Sequence, residues 1–203
     1  MALFWRSVAR WSGGVAGTLL AVSTWAAPLD VVVTGANGRP LGDAVVWVES
    51  DAARAAAKPL AGVEVTQRDK AFIPAVTLVT VGTSVTFPNL DVVRHHVYSY
   101  SPAKRFEIKL YVGTPSAPVV FDKPGIAVLG CNIHDQMAAW VVIIDSAWFA
   151  RTQADGRAVL PDVPAGRHVL RAWHPDLPVG APAAALPLDM RAGTQRLTLR
   201  LGS

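Results

Sequence analysis

Short stretches rich in Val, Ile, Thr and aromatic residues recur along most of the chain, and Gly, Pro, Asn and Asp residues separate them. The stretches with this character are LDVVVTG, AVVWVES, VTLVTVGTSVTF, HHVYSY, FEIKLYV, AVLGC and AAWVVIID. Short strands with turn residues between them are typical of a β-sandwich. The pair Asn37-Gly38 favours a hairpin turn. The pattern therefore predicts an all-β fold class.

One stretch, residues 51–58, has a helix-forming composition (DAARAAAK) and ends before Pro59. Its length predicts one or two helical turns inside a linker over residues 51–62. Residues 63–145 hold the only cysteine and three of the five histidines of the chain. The segments 28–50 and 147–203 hold no clustered metal ligands. This distribution indicates two modules, the middle one inserted into the other.

The N-terminus has the pattern of a secretory signal peptide. Arg6 and Arg10 precede a short apolar run, which ends in the small residues of STWAA. The run is shorter than the ~20 residues that a membrane-spanning helix needs. We therefore expect residues 1–26 to be a signal peptide cleaved after Ala26, with export to the periplasm or outside the cell. We expect no membrane insertion after cleavage.

The charge of the chain gives little support to a nucleic-acid partner. Removing Arg6 and Arg10 with the signal peptide lowers the formal net charge from +4 to +2. No basic stripe and no interleaving of basic and aromatic residues follows in the remaining sequence. We therefore expect no binding to nucleic acid.

The segment GCNIHDQM contains the only cysteine, Cys131, followed by His134 and Met137. A thiolate, an imidazole and a weak axial thioether are ligands of type 1 copper centres. Such a centre needs a second histidine, and His95 and His96 are both candidates. An unpaired thiol in an exported protein also needs protection from oxidation, which a bound metal provides.

Two alternatives to a copper site follow from the same residues. Taken alone, Cys131 reads as a buried cysteine that acts as a small apolar side chain. Zinc is the competing metal, but a thioether is a poor zinc ligand and the sequence offers no fourth strong donor. His134 and Met137 on the same short loop favour copper.

Residues 63–145 resemble a cupredoxin, and the C-x2-H-x2-M spacing resembles the short ligand loop of amicyanin. Gly82, Val85 and Phe87 match the strand before the first histidine ligand, and His95-His96-Val97 match the ligand segment. The resemblance implies one type 1 copper ion bound by four residues: His95, Cys131, His134 and Met137. Strand alternation agrees, since His95 and Val97 face one side of a strand and His96 the other.

The resemblance also implies a difference beside the first ligand. His96 stands where the cupredoxin pattern has an asparagine, which removes the usual amide next to His95. Because neighbouring groups orient metal ligands, we expect a site geometry that differs from the family pattern.

The chain as a whole resembles exported cupredoxin-like proteins that are called methylamine utilisation proteins, through FPN-x-D-x3-HHVYS, SPAKRFE and GCNIHDQM. Segments 28–50 and 147–203 together resemble a carboxypeptidase regulatory-like, or transthyretin-like, β-sandwich. The expected organisation is a Greek-key cupredoxin domain over residues 63–145, inserted in or joined to this second small sandwich. His168 and His174, in the second module, are expected to be structural.

These observations predict a non-enzymatic protein that carries single electrons between transient redox partner proteins. No paired carboxylates and no Ser-His-Asp spacing indicate a catalytic site. One alternative is a copper-binding or copper-delivery protein without electron transfer. Another is a structural binding module with a vestigial copper site.

Overall fold

The computed structural model describes residues 25–202. The described residues form seventeen strands and one short helix, so the predicted all-β class is confirmed. In chain order the elements are β1 (Ala26–Thr34), β2 (Val45–Glu49), α1 (Asp51–Ala56), β3 (Val63–Glu64), β4 (Thr66–Arg68), β5 (Ala71–Ile73), β6 (Val76–Thr80), β7 (Thr83–Thr86), β8 (His95–Ser101), β9 (Lys104–Tyr111), β10 (Val119–Phe121), β11 (Gly125–Gly130), β12 (Ala138–Ile144), β13 (Phe149–Arg151), β14 (Arg157–Pro164), β15 (Gly166–Trp173), β16 (Ala184–Met190) and β17 (Gln195–Arg200). Nearly all of the expected signal peptide, residues 1–24, lies outside the described residues.

Two sheets from the middle of the chain carry one hydrophobic core. The larger has the strand order β6-β12-β11-β8-β9 and the smaller the order β10-β7-β3. Their inward side chains form one buried cluster that includes Val85, Phe87, Phe121, Leu129 and Val141. This core places the end of β11 beside the middle of β8, since Gly130 is paired with Tyr98.

The stretch VTLVTVGTSVTF, predicted as one strand, is two strands in different sheets. β6 pairs in parallel with β12, whereas β7 pairs with β10 and β3. Gly82 makes the break with a φ of +87°, a conformation that costs glycine little. Its N–H donates to Phe121 O at 2.8 Å, so the chain crosses from one sheet to the other at this residue.

The strands that precede and follow residues 63–145 share a second pair of sheets, which together form the outer unit. β1 lies between β14 and β17, and β2 lies between β13 and β15, with β16 at the edge beyond β15. Inward residues of these strands, among them Leu29, Val46, Leu160 and Leu170, are fully buried in a separate cluster. The domain boundaries and the transthyretin-like identity of this unit stay predictions.

The helical turns expected within residues 51–58 are present as α1. Ser50 caps the helix, because its Oγ accepts a hydrogen bond from Ala53 N at 3.1 Å. Ala53 is fully buried, and its carbonyl accepts from Ala147 N at 3.1 Å. The entry to the middle segment and the exit from it are therefore adjacent.

An apolar contact joins the two units. Trp47 and Trp173 of the outer unit form one buried cluster with Val76, Val142 and Ile144. These last three residues lie on β6 and β12, so the contact covers one half of the outer face of the five-stranded sheet. No helix within residues 25–202 combines the length and the apolar character that a membrane crossing requires.

Candidate metal centre

A tight connection between two antiparallel strands carries three of the four predicted ligands. Cys131 directly follows β11, and Met137 directly precedes β12. The N–H of Met137 donates to His134 O at 2.9 Å, which closes the connection as a turn. Cys131 and Met137 are buried, and His134 is half-buried. Within this short loop the thiol of Cys131 is therefore buried, whereas part of the His134 imidazole is accessible to solvent.

His95 comes to the same place from β8. It is the first residue of that strand and is completely buried. Its Nδ1 lies 3.9 Å from Cys131 Sγ, and its ring centroid lies 5.1 Å from that of His134. One ligand atom from each of His95, Cys131 and His134 lies within 4.8 Å of the other two. The structure thus brings together three of the four predicted ligands from two strand ends.

Met137 belongs to the same buried core cluster as Cys131. Both residues are buried, Cys131 at 3% and Met137 at 2% exposed. A thioether at this position is available as a weak donor at a site with thiolate and imidazole ligands.

Asp91 fixes the orientation of His95. Its Oδ2 lies 2.7 Å from His95 Nε2. A carboxylate accepts hydrogen bonds, so Nε2 carries the proton and donates, and the lone pair of a neutral imidazole is left at Nδ1. Carboxylates that hold the far nitrogen of a metal-binding imidazole in this way are common at metal sites. The sequence pattern alone did not connect Asp91 to the ligand.

The same carboxylate also caps a hairpin turn that the sequence did not predict. Asp69 and Lys70 join β4 to β5, and both have positive φ, 53° and 57°. Their N–H groups donate to Asp91 at 2.7 and 3.0 Å. The Lys70 N–H and the His95 imidazole hold the pKa of Asp91 below its usual value, against the opposing effect of burial.

Asn89 holds the loop between β7 and β8 in place. Its side-chain Nδ2 donates to Val93 O at 2.9 Å and to Tyr111 O at 2.8 Å. Its Oδ1 accepts from Asp91 N at 2.9 Å. The site therefore has a buried amide near His95. It belongs to Asn89, and not to position 96, where the cupredoxin pattern has its asparagine.

The half-buried Tyr111 lies beside the first predicted ligand. Tyr111 pairs with His95 across β8 and β9 and donates to Phe87 O at 2.6 Å. Gln67 Nε2 donates to the same hydroxyl. Burial raises the pKa of Tyr111 to about 12, so this hydroxyl is protonated and acts as a donor at neutral pH.

His134 Nδ1 is available to bind a ligand at this site. This atom is buried and has no hydrogen-bond partner among the described residues. A buried polar atom without a partner costs roughly 1–3 kcal/mol. A metal ion between His134 Nδ1, His95 Nδ1 and Cys131 Sγ would satisfy it. The donor set is soft and nitrogen-rich, which fits copper or zinc and not calcium or magnesium.

His96 is not part of this group. Its Nε2 lies 2.9 Å from Glu107 Oε1 on the outer face of the sheet, and its ring packs 5.5 Å from that of Tyr98. His168 and His174 lie in the outer unit, where each contacts a backbone carbonyl, Pro164 O and Gly42 O respectively. Strand alternation thus separates the two adjacent histidines onto opposite faces.

No family model and no curated protein sequence matches the chain. Solved structures do match at low identity. A variant of amicyanin in its reduced Cu(I) form is 18% identical, with a TM-score of 0.38 over 49% of this chain and 98% of that one. A purple cupredoxin from Nitrosopumilus maritimus is 20% identical, with a TM-score of 0.35 over 40% of this chain and 99% of that one.

A third match is the copper-containing nitrite reductase from Thermus scotoductus SA-01. It is 24% identical, with a TM-score of 0.38 over 56% of this chain and 28% of the reductase. At identities and TM-scores this low, none of the three likenesses carries an inference about function.

Proposed function

We propose that this protein binds one copper ion in a type 1 site and carries single electrons between redox partners. One observation carries the proposal: His95, Cys131 and His134 converge with their ligand atoms within 4.8 Å of one another. Two imidazoles and a thiolate, with a thioether nearby, are the donors of a blue-copper electron-transfer site.

Each ligand has a distinct part in the proposed site. Cys131 would supply the thiolate, and His95 and His134 would supply Nδ1 atoms. Met137 would supply a weak thioether donor. Copper held by these residues would contribute one-electron transfer, because it is stable in two oxidation states.

The surrounding protein supports this role by keeping the ligands fixed. Asp91 and Asn89 hold the His95 loop through the hydrogen bonds described above, so the ligand set needs little rearrangement when its charge changes. His95 is 0% exposed and Cys131 3% exposed, which limits access of water to these donors. His134 is half-buried, and its edge offers a short distance to a docked partner.

Export to the periplasm, transient redox partner proteins and the absence of an enzymatic reaction are parts of the same proposal. The composition of the first 26 residues supports export, as argued from the sequence. The outer unit is proposed to act as a scaffold or docking module. No observation on the described residues favours amine chemistry, so the proposal names no amine substrate.

A visible and EPR spectrum of the copper-loaded protein tests the proposal. We expect an intense thiolate-to-copper absorption band, which Cys131→Ser abolishes while His96→Ala retains it. Equal colour in the Cys131→Ser variant would contradict the assignment. A copper-delivery protein would bind copper but would not be reduced and reoxidised reversibly, so cyclic voltammetry separates the two functions.

A further inference from the structure

The outer face of the five-stranded sheet is covered on one side only. On the β6–β12 side it packs against Trp47 and Trp173 of the outer unit. On the β8–β9 side the outward residues stay accessible, with Tyr100 67% exposed and Arg105 and Lys109 also exposed. This open half lies on the opposite side of the sheet from the buried core.

A row of aromatic rings runs along β8 on the open half. The ring of Tyr98 lies 5.5 Å from that of His96 and 5.1 Å from that of Tyr100, measured between centroids. Tyr98 is also the strand partner of Gly130, the residue directly before Cys131. A Cβ atom at Gly130 would lie 2.7 Å from Cζ of Tyr98, so a larger residue at position 130 would displace the ring. The row therefore links the backbone next to the thiol with the exposed Tyr100.

The same rings line a shallow recess that extends to the ligand loop. Tyr98, Tyr100, Gly130, Cys131, Asp135 and Met137 contribute to its walls. Val179, from the loop after β15 in the outer unit, forms part of its rim and is 89% exposed. The recess thus lies over the backbone next to Cys131, apart from the edge of His134, and the outer unit takes part in shaping it.

Two exposed cations lie on β9, the strand that pairs with β8. Arg105 lies opposite Tyr100 in the ladder, and Lys109 lies further along β9, at the irregularity in the register next to His95. Neither side chain forms an ion pair with any residue in the range 25–202. The acidic residue between them, Glu107, is held by His96 at 2.9 Å. Exposed cations beside aromatic rings favour an acidic protein surface as the partner.

We propose that the β8–β9 face, with its rim at Val179, is a docking surface for an acidic one-electron-carrier protein. Tyr98 provides the contact between this surface and the backbone at Cys131. One electron is exchanged between the site and the redox centre of the partner, so one is oxidised and the other reduced, and no bond forms or breaks. The docking surface stands on the geometry of the face, whereas the electron exchange rests on the proposed copper function.

The docking surface is tested first on the full mature chain without added metal. Poly-L-glutamate, an acidic polypeptide, is titrated into the ¹⁵N-labelled protein while amide NMR signals are recorded. We expect shifts concentrated in residues 96–109 and at Gly130. Shifts that are confined to residues 131–137, or spread evenly over the basic surface, would overturn the proposed face.

The electron exchange is tested on the reduced, copper-loaded protein by stopped-flow oxidation with hexacyanoferrate(III), an anionic acceptor. Reversal of charge in the Arg105→Glu/Lys109→Glu double variant is expected to slow oxidation about tenfold or more at low ionic strength. The visible spectrum and the reduction potential should not change. The matched control is Arg39→Glu/Arg167→Glu, which makes the same change in net charge on exposed residues of the outer unit.

A second pair of variants tests the aromatic contact. Tyr98→Leu is expected to slow oxidation several-fold, whereas Tyr98→Phe keeps the ring and should retain the wild-type rate. If the control double variant slows oxidation as much as the Arg105/Lys109 variant, the proposed face is wrong. A wild-type protein without the blue band would contradict the copper function, and the metal-free titration would still decide the docking surface.

Discussion

Asp91 Oδ2 lies 2.7 Å from His95 Nε2, and the same carboxylate accepts two backbone N–H groups from the β4–β5 turn. One side chain therefore fixes both the orientation of a metal-binding imidazole and a neighbouring hairpin. The carboxylate bonds Nε2 of His95, whereas the proposed metal donor is Nδ1 of the same ring. A change at Asp91 therefore acts on the site by changing the orientation of this ring.

Replacing this carboxylate is expected to weaken metal binding. Asp91→Asn keeps one oxygen acceptor but loses the second. The turn then loses the acceptor of Asp69 N, or it loses that of Lys70 N together with the partner of His95 Nε2. Loss of such a supporting group costs about 10–100-fold in metal affinity. Competition with a copper chelator measures the loss, and the exposed Asp43→Asn variant serves as the control. An unchanged affinity in Asp91→Asn would show that the ring of His95 is held by packing alone.

The two adjacent histidines are expected to differ sharply in their effects. His95→Ala should abolish the blue band, because it removes the Nδ1 that lies 3.9 Å from Cys131 Sγ. His96→Ala should retain the band and release Glu107 on the outer face. Visible and EPR spectra of both variants decide the question, and the reverse result would move the ligand to His96.

Removal of the thioether is expected to raise the reduction potential and leave copper bound. Met137→Leu conserves side-chain volume, so the packing cost should stay below about 1.5 kcal/mol. A weak thioether donor binds the oxidised ion more tightly than the reduced ion. Each tenfold decrease in this ratio of affinities raises a one-electron reduction potential by about 59 mV. Voltammetry gives the shift. An unaltered potential would assign Met137 to packing only.

Asp30 should make the outer unit sensitive to acid. Burial opposes ionisation of this carboxyl, but hydrogen bonds from Arg196 at 2.9 Å and Arg157 at 2.8 Å outweigh it and lower the pKa of Asp30. A lowered pKa in the folded state contributes stability above the unfolded-state pKa of ~3.9, and this stability is lost as the pH falls through the folded-state pKa.

Urea unfolding of Asp30→Asn tests this dependence. At pH 7 the variant is expected to lose on the order of 2 kcal/mol of unfolding free energy, because two guanidinium groups lose a charged acceptor. Between pH 7 and pH 3 its stability should fall less than that of the wild type. Asp189→Asn, at an exposed pair with Arg191, should behave like the wild type. A parallel acid response in both variants would contradict the role of Asp30.

The sequence predicted the class of the fold and the residues of the candidate site because both depend on local patterns. Alternating apolar residues and turn residues mark strands, and ligand spacing within one loop is visible in the chain itself. The helix over Asp51–Ala56 was predicted for the same reason.

The features that the sequence did not reveal depend on distant partners. The hairpin at Asp69 and Lys70 contains no Gly or Asn, and the carboxylate that stabilises it lies 21 and 22 residues away in the chain. The division of VTLVTVGTSVTF into β6 and β7 follows from pairing with β12 and β10, which a hydrophobic run cannot specify. Asn89 likewise gains its importance from contacts with Val93 and Tyr111.

The adjacency of Ala53 and Ala147 has a consequence for the order of folding. The register that joins Trp47 of β2 to Phe149 of β13 closes a loop of roughly 100 residues if the chain between them is unfolded. Once the five-stranded sheet has formed and α1 has bonded to Ala147, the two ends of that loop are held together, and the effective loop shrinks to about ten residues. The entropic cost of closing the loop when β2 pairs with β13 is then lower by about 2 kcal/mol. The N-terminal strands, although synthesised first, are therefore expected to complete their sheets last.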